Sequence, residues 1–429
     1  MSKSPSPPDP VAAPAPVRRS PLRDRIAAFV AAESARRRDA VSEARGEAAA
    51  TIAAASVADY LPYGPSDGNA LECEILASAG AIELEYASLR NGAGVFDANH
   101  QGRLTIRGGD RRDILNRMVT ADLKEFPAGR AIEAFWLNRK GRIDADLLLA
   151  ECGDRAVAAI DVHQVASVVE SLGRFVVAEE VELIDDSQSM HHLWLLGPKA
   201  GEVLEGSTGA AVPAVGSCAQ VSIAGIACLA IGVDWIGPTG FAIVAPRDRV
   251  GEVWDALLAT ELAGSKQRVR PIGWLAFNVA RIEAGTPIFN VDFGSDALPH
   301  ETGVLHRRVS FKKGCYLGQE VVARMESLGQ PKQRLVGLRV HGDLLPVAGG
   351  QVFAIEDGSM GACVGSVTSS TPSPLLGAAP IAFAMVRSAH AATGTELLVN
   401  AEGEQSRAEV VPLRFVDPGF AKSASGAAS

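Results

Sequence analysis

No stretch of this 429-residue chain is long and apolar enough to cross a bilayer as a helix. The most apolar run, Val221 to Val233, is broken by Ser222, Gly225 and Gly232 and reads as two short paired strands. The N-terminus lacks the apolar core of a secretory signal, and Asp24, Glu33, Asp39, Glu43 and Glu47 speak against an organelle transit peptide. The six cysteines (Cys73, Cys152, Cys218, Cys228, Cys315 and Cys363) include no C-x-x-C pair and have no histidine at zinc-site spacing. His191-His192 and His300 with His306 form no ligand set either, so no metal site is expected. Scattered cysteines exclude a disulfide framework and fit a reducing, cytoplasmic setting. Positive charge is also short, with 41 basic against 50 acidic residues and a net charge of −9. That balance excludes a general nucleic-acid binder, and contact with RNA is not expected.

Hydrophobic content of 47% with 21% charged residues is that of a soluble globular protein. The length calls for two or three domains. Met1 to Pro21, rich in Pro, Ser and Ala, is expected to be disordered, and Leu22 to Ala55 to form a fraying helix. Residues 1–62 thus read as a tail, with the folded part beginning near Tyr63. Gly102–Arg107 alternates as a strand, and Asp110 is placed to cap a helix carrying Ile114, Leu115 and Met118. Strands over Ile132–Leu137 and Ile143–Ala150 flank Asn138-Arg139-Lys140-Gly141, whose Asn and Gly tolerate the positive φ of a tight turn. After Pro271, Ile272, Leu275, Val279 and Ile282 follow a helical period that ends at Gly285. From Gln333 six short strands without a helix indicate a small β-barrel or sandwich. The fold class is α+β with an all-β C-terminal domain. The boundaries are a core over 63–330, a barrel over 331–418 and a disordered tail over 419–429.

One stretch obeys neither a helical nor a strand period. Phe311 to Glu320 packs two lysines, two glycines, a thiol, an aromatic and an amide–acid pair into ten positions. It sits in a basic island, Arg307, Arg308, Lys312, Lys313, Arg324, Lys332 and Arg334 against Glu320 and Glu326, which implies an anionic ligand or partner. Cys315 has two readings: a thiol activated by Lys312 and Lys313, or a small buried hydrophobe. Asp144 and Asp146 share one face of their strand, as a general base or as a solvated edge. Arg281 and Glu283 near a helix end read by default as an exposed ion pair. Trp235, Trp254 and Trp274 read as core.

Lys313-Gly314-Cys315-Tyr316 with Gly318-Gln319-Glu320 resembles the signature of the YgfZ branch of the glycine-cleavage T-protein (aminomethyltransferase) superfamily. Gly94-Val95-Phe96-Asp97 with Gly102-Arg103-Leu104, Leu115 to Asp122, Pro127 to Arg130, Leu137 to Leu147, Arg281 to Pro287 and Val364 to Ser369 are similar to further family blocks. The likeness spans about Leu84 to Phe415. It implies a three-domain ring of α+β segments and a β-barrel, with tetrahydrofolate in the central channel. It further implies Cys315 and Asp146 as catalytic residues, with Arg281, Asp146, Lys313 and Gln319 binding the folate. For that branch it implies a monomer that supports iron–sulfur client proteins in cluster assembly or repair. The alternative is a tetrahydrofolate-dependent one-carbon transferase or demethylase, which is the activity implied if the chain is an enzyme. Aminomethyltransferases carry a Gly-Glu-Asp-Gly-Phe-Glu-like loop whose glutamate holds the pterin. Here Gly237 to Ala242 has neither acid, Ala276-Phe277-Asn278 lacks the family's arginine, and the paired aspartates read Ala145-Asp146.

Overall fold

The computed structural model describes residues 17–45, 56–64, 72–262 and 268–417. In chain order the strands are β1 (Val17–Arg18), β2 (Asp59–Tyr63), β3 (Glu72–Ser78), β4 (Gly94–Asp97), β5 (Gln101–Arg107), β6 (Ala131–Leu137) and β7 (Ile143–Glu151). β8 (Ala156–Asp161), β9 (Glu182–Asp185), β10 (Met190–Leu196), β11 (Cys218–Ile223), β12 (Ile226–Val233), β13 (Gly240–Pro246) and β14 (Arg270–Ile272) follow. The last six are β15 (Gln333–Val340), β16 (Gln351–Glu356), β17 (Ser359–Ser373), β18 (Ala379–Arg387), β19 (Glu396–Ala401) and β20 (Glu404–Val411).

A five-stranded sheet runs β6-β7-β8-β5-β9, and a six-stranded sheet runs β11-β12-β13-β10-β4-β14. The period-2 pattern of β7 decides which way the first sheet faces. Ala145, Leu147 and Leu149 point into a core with Ile114, Leu115 and Met118 of one covering helix and Val165, Val168 and Leu172 of another. Asp144, Asp146 and Leu148 take the other face, toward the second sheet. Between the sheets lies an aromatic-rich core that includes Phe96, Trp194 and Phe277. The six C-terminal strands close into a barrel, β15-β18-β17-β16-β19-β20, rather than opening as a sandwich.

Two glycines are set by close approach. Gly285 ends the helix Trp274–Ala284 at φ 76°, and a Cβ there would lie 2.6 Å from the Arg414 backbone N. Gly318 has φ 80°, and its Cβ would lie 2.7 Å from the Asn138 carbonyl, so the signature loop packs onto the β6–β7 hairpin. Asp110 does not cap the helix Arg111–Met118. Its Oδ2 instead accepts from the Glu180 N–H at 2.8 Å and pins a neighbouring loop. No helix among the described residues is long and apolar enough to cross a membrane.

The N-terminal expectation is corrected. Residues 1–16, 46–55 and 418–429 lie outside the described residues, but 17–45 is part of the fold rather than a tail. β1 adds to β3 in parallel, and the helix Arg23–Arg45 follows. Leu22, Ile26 and Val30 are buried with Val95, Leu193, Phe241 and Trp254 on the outer face of the six-stranded sheet. Buried Arg18 donates to the carbonyls of Asn99 at 2.9 Å and Ser187 at 3.0 Å, and the Ser20 hydroxyl donates to Asp97. Polar composition hid this because three apolar residues, one helical turn apart, suffice to dock the segment. Ile26→Ala is therefore expected to lower the unfolding free energy by about 2–5 kcal/mol in urea titration, where an undocked tail would show no change.

Candidate functional site

The inward face of the five-stranded sheet carries a patterned set of polar residues. Register places Phe135 opposite Asp146, Glu133 opposite Leu148, Leu148 opposite Ala159 and Gln101 opposite Asp161. Asp146, Glu133, Asp161 and Gln101 thus share one sheet face and line a cavity of about 100 Å³. Opposite them stand Trp194, Trp235, Ala242 and Phe277, with Tyr63, the Thr286–Phe289 loop and Arg308 closing the sides.

Arg308 organises the charges. Its Nε donates to Asp146 Oδ1 at 2.7 Å, and its Nη1 lies 3.5 Å from Glu133 Oε2. Arg307 Nε donates to Glu133 Oε2 at 2.9 Å and its Nη2 to Asp234 Oδ1 at 2.7 Å, while Trp235 Nε1–H donates to Glu133 Oε1 at 2.9 Å. The result is an alternating chain, Asp146–Arg308–Glu133–Arg307–Asp234, running from the cavity floor to the surface. Burial opposes the Arg308 charge, but Asp146 and Glu133 outweigh it and hold the guanidinium above its ordinary pKa. Burial lifts the Asp146 carboxyl above the usual range, and Arg308 offsets only part of that. Burial acts the same way on Glu133, yet Arg308 and Arg307 bring it below its ordinary value. The two carboxylates on one face are thereby pushed in opposite directions.

A second polar group flanks the first. Asp161 Oδ2 accepts from the Tyr63 hydroxyl at 2.5 Å and from Asn290 Nδ2 at 3.3 Å, and its Oδ1 lies 3.1 Å from His163 Nδ1. Burial raises the Asp161 carboxyl, but the His163 and Tyr63 hydrogen bonds prevail and lower it.

Of the residues expected at the site, Asp146 lies in the cavity and the others do not. Arg281 is fully buried behind it: Nη1 donates to Asp292 Oδ2 at 2.6 Å, Nη2 to Ser369 Oγ at 2.6 Å and Nε to Asn278 Oδ1 at 2.9 Å. It ties the helix Trp274–Ala284 to barrel strand β17, and its Nη1 also donates to the Thr286 carbonyl at 3.3 Å. Glu283 is buried too, paired with Arg90 and bonded by Tyr86 and Ser373, so the two do not form an exposed surface pair. Lys313 is buried against the end of the helix Arg111–Met118. Its Nζ donates to the carbonyls of Asn116, Val119 and Ala121 at 2.6, 2.8 and 2.6 Å. Burial brings its pKa down to about 8, and three carbonyl acceptors match the three donors of an ammonium. Gln319 Oε1 accepts from the Tyr316 N–H at 3.2 Å, a turn within the loop. Cys315 is exposed, outside the cavity lining.

The basic island disperses on folding, since Arg307, Arg308 and Lys313 are engaged internally. Asp144 is held by Asn138 Nδ2 at 2.8 Å as part of the hairpin turn. Trp235 packs against the aromatic core between the sheets and also lines the cavity. Glu133 escaped sequence reading, although an acid at an interior strand position two residues from Phe135 carried a signal.

The GCVT N-terminal domain model matches residues 60–313, and the glycine cleavage T-protein C-terminal barrel domain matches residues 333–417. The aminomethyltransferase of Geobacillus kaustophilus (strain HTA426) is 30% identical over 343 residues, covering 78% of this chain and 90% of its own. That of Streptomyces coelicolor (strain ATCC BAA-471 / A3(2) / M145) is 32% identical over 346 residues, covering 78% and 90%. The crystal structure of the glycine cleavage system aminomethyltransferase T from Bartonella henselae shares the fold. It has a TM-score of 0.71 at 22% identity and covers 84% of this chain and 94% of that one.

Arg281→Ala would leave Asp292 buried without its cation. The expected loss is about 3–5 kcal/mol of unfolding free energy. An unchanged denaturation midpoint would place Arg281 in a ligand-facing role instead.

Proposed function

The chain belongs to the glycine-cleavage T-protein family, and from that premise we propose that it is a tetrahydrofolate-dependent one-carbon transferase acting on aminomethyl or methyl groups. One observation carries the reading: Asp146, half-buried and oriented by Arg308, faces an aromatic-walled cavity. Trp194, Trp235 and Phe277 offer flat apolar faces suited to a heteroaromatic ring, while Asp146 and Glu133 offer acceptors for its N–H groups. The chemistry of this lining fits the ring end of a folate. Tetrahydrofolate supplies the secondary amines that carry the one-carbon unit. Asp146, its carboxyl raised by burial, holds a proton more readily than an exposed aspartate and is suited to exchange one with the group being transferred. Arg308 keeps its carboxylate aimed, and the aromatic walls keep water away from the group being transferred.

The test has two arms. Tetrahydrofolate at a hundredfold excess over Kd is expected to stabilise the protein by about 2.7 kcal/mol, read as a rise in melting temperature. Asp146→Asn is expected to abolish formation of methylene- or methyl-tetrahydrofolate from an amine or methylated donor. No melting shift at millimolar ligand would refute binding, and undiminished turnover by the variant would remove Asp146 from the chemistry.

A second reading, support of iron–sulfur enzymes as in the YgfZ branch, rests on Cys315. Its thiol is exposed, on a loop whose Lys313 and Tyr316 are anchored in the protein. Ala242 also lines the cavity in the stretch where the resemblance sets a pterin-holding acid, and it brings no carboxylate. In a deletion strain with lowered iron–sulfur enzyme activity, wild type is expected to restore that activity and Cys315→Ala to fail. Equal rescue by both would dismiss the thiol.

A further inference from the structure

Two cysteines that neither reading uses meet where the two sheets join. Cys152 directly follows β7, six residues beyond Asp146, and Cys218 opens β11 at the edge of the other sheet. Backbone hydrogen bonds fix both ends of this seam. Gly129 N donates to Glu151 O at 2.8 Å, Glu151 N to Arg130 O at 2.9 Å and Cys218 N to Gly129 O at 2.8 Å, with a bridge between Arg130 and Ser217. From there the Cys218 thiol reaches across. Its Sγ lies 3.5 Å from the Arg130 and Glu151 carbonyls, the latter belonging to the residue before Cys152. Both thiols are free, and both belong to the core between the sheets, Cys218 buried and Cys152 half-buried.

We propose that Cys152 and Cys218 form a peroxide-sensitive dithiol that closes reversibly into a disulfide joining the two sheets.

The surroundings assign the roles. The Cys218 hydrogen bond lowers the Cys152 pKa, burial works against it, and Arg155 and Arg103 add to the lowering. Contact with Cys152, together with burial, raises Cys218, whose S–H donates to the Arg130 and Glu151 carbonyls. Cys152 is half-buried, open to a molecule as small as hydrogen peroxide. Cys73 and Cys228, by contrast, are buried thiols pushed up to about 12 and about 11 by desolvation. In the first step the Cys152 thiolate attacks one peroxide oxygen, the O–O bond breaks, and the departing hydroxide takes a proton to leave as water. Cys152 becomes a sulfenic acid. In the second step Cys218 sulfur attacks the Cys152 sulfur, the S–O bond breaks, and the hydroxyl leaves as a second water with the Cys218 proton. Two thiols are oxidised by two electrons and one peroxide is reduced to two waters. The bond would tie the end of the strand bearing Asp146 to the sheet bearing Trp194 and Ala242, the two walls of the cavity.

The full-length protein is treated with hydrogen peroxide, denatured, blocked with N-ethylmaleimide and analysed by peptide mass spectrometry. The expected result is a Cys152–Cys218 linked peptide pair, two hydrogens lighter than the separate peptides and undone by dithiothreitol. Cys218→Ser should abolish the link and leave a dimedone-trappable sulfenic acid on Cys152, whereas Cys152→Ser should show neither. Far-UV circular dichroism and melting temperature check that each serine variant is folded. If Cys152 and Cys218 stay fully maleimide-reactive while exposed Cys315 and Cys363 are oxidised, the proposal is overturned. It is equally overturned if Cys218 oxidises as fast in the Cys152→Ser variant. The readout needs no folate and no turnover, so it stands or falls apart from the transferase reading.

Discussion

Arg281 has no route to water, and that constraint holds three parts of the molecule together. A fully buried guanidinium is tolerable only with hydrogen-bond partners, and Asp292, Ser369, Asn278 and the Thr286 carbonyl supply them. Asp292 in turn accepts from Thr368, Ser369 and the Ile288 N–H. Two residues on from Arg281, Glu283 gathers Arg90, Tyr86 and Ser373 in the same way. The helix Trp274–Ala284 is thereby fastened to the core on one side and to the barrel on the other. The loop that follows it, Thr286 to Phe289, forms part of the cavity wall.

The same rule, that buried charge demands partners, shapes the site. Arg308 enters the cavity from a four-residue helix, Leu305–Arg308, and meets two acids from adjacent strands. Arg308 pulls both carboxyls down, but burial prevails at Asp146 while Arg308 and Arg307 together prevail at Glu133. A relay-like group at Tyr63, Asp161 and His163 stands beside them, and Tyr63 comes from the strand preceding the main core. The N-terminal segment is thus structural twice over. It covers the outer face of the six-stranded sheet and leads into the strand that ends in a cavity residue.

Much of this was legible from residue order alone. The helix after Pro271 ends at Gly285 because only a residue free of Cβ can take φ 76° against the Arg414 backbone. The face of Asp146 followed from the strand's period of two, and the glycine and amide of the β6–β7 turn announced the hairpin. The six C-terminal strands were visible as separate runs, whereas their closure into a barrel depends on pairing between β15 and β20, which no local pattern encodes.

What the sequence determined by itself were local matters: periodicity, turn chemistry, and which residues could share a strand face. The tertiary structure decided which charges meet. Arg308 and Asp146 are 162 positions apart, and Lys313 lies 192 positions from the Ala121 carbonyl that it caps. A basic residue looks the same in a sequence whether it awaits an anion from outside or is already neutralised within. Arg281, Arg308 and Lys313 were all drawn inward because burying a cation requires acceptors, and those acceptors come from strands and helix ends that only the folded chain brings within 3 Å.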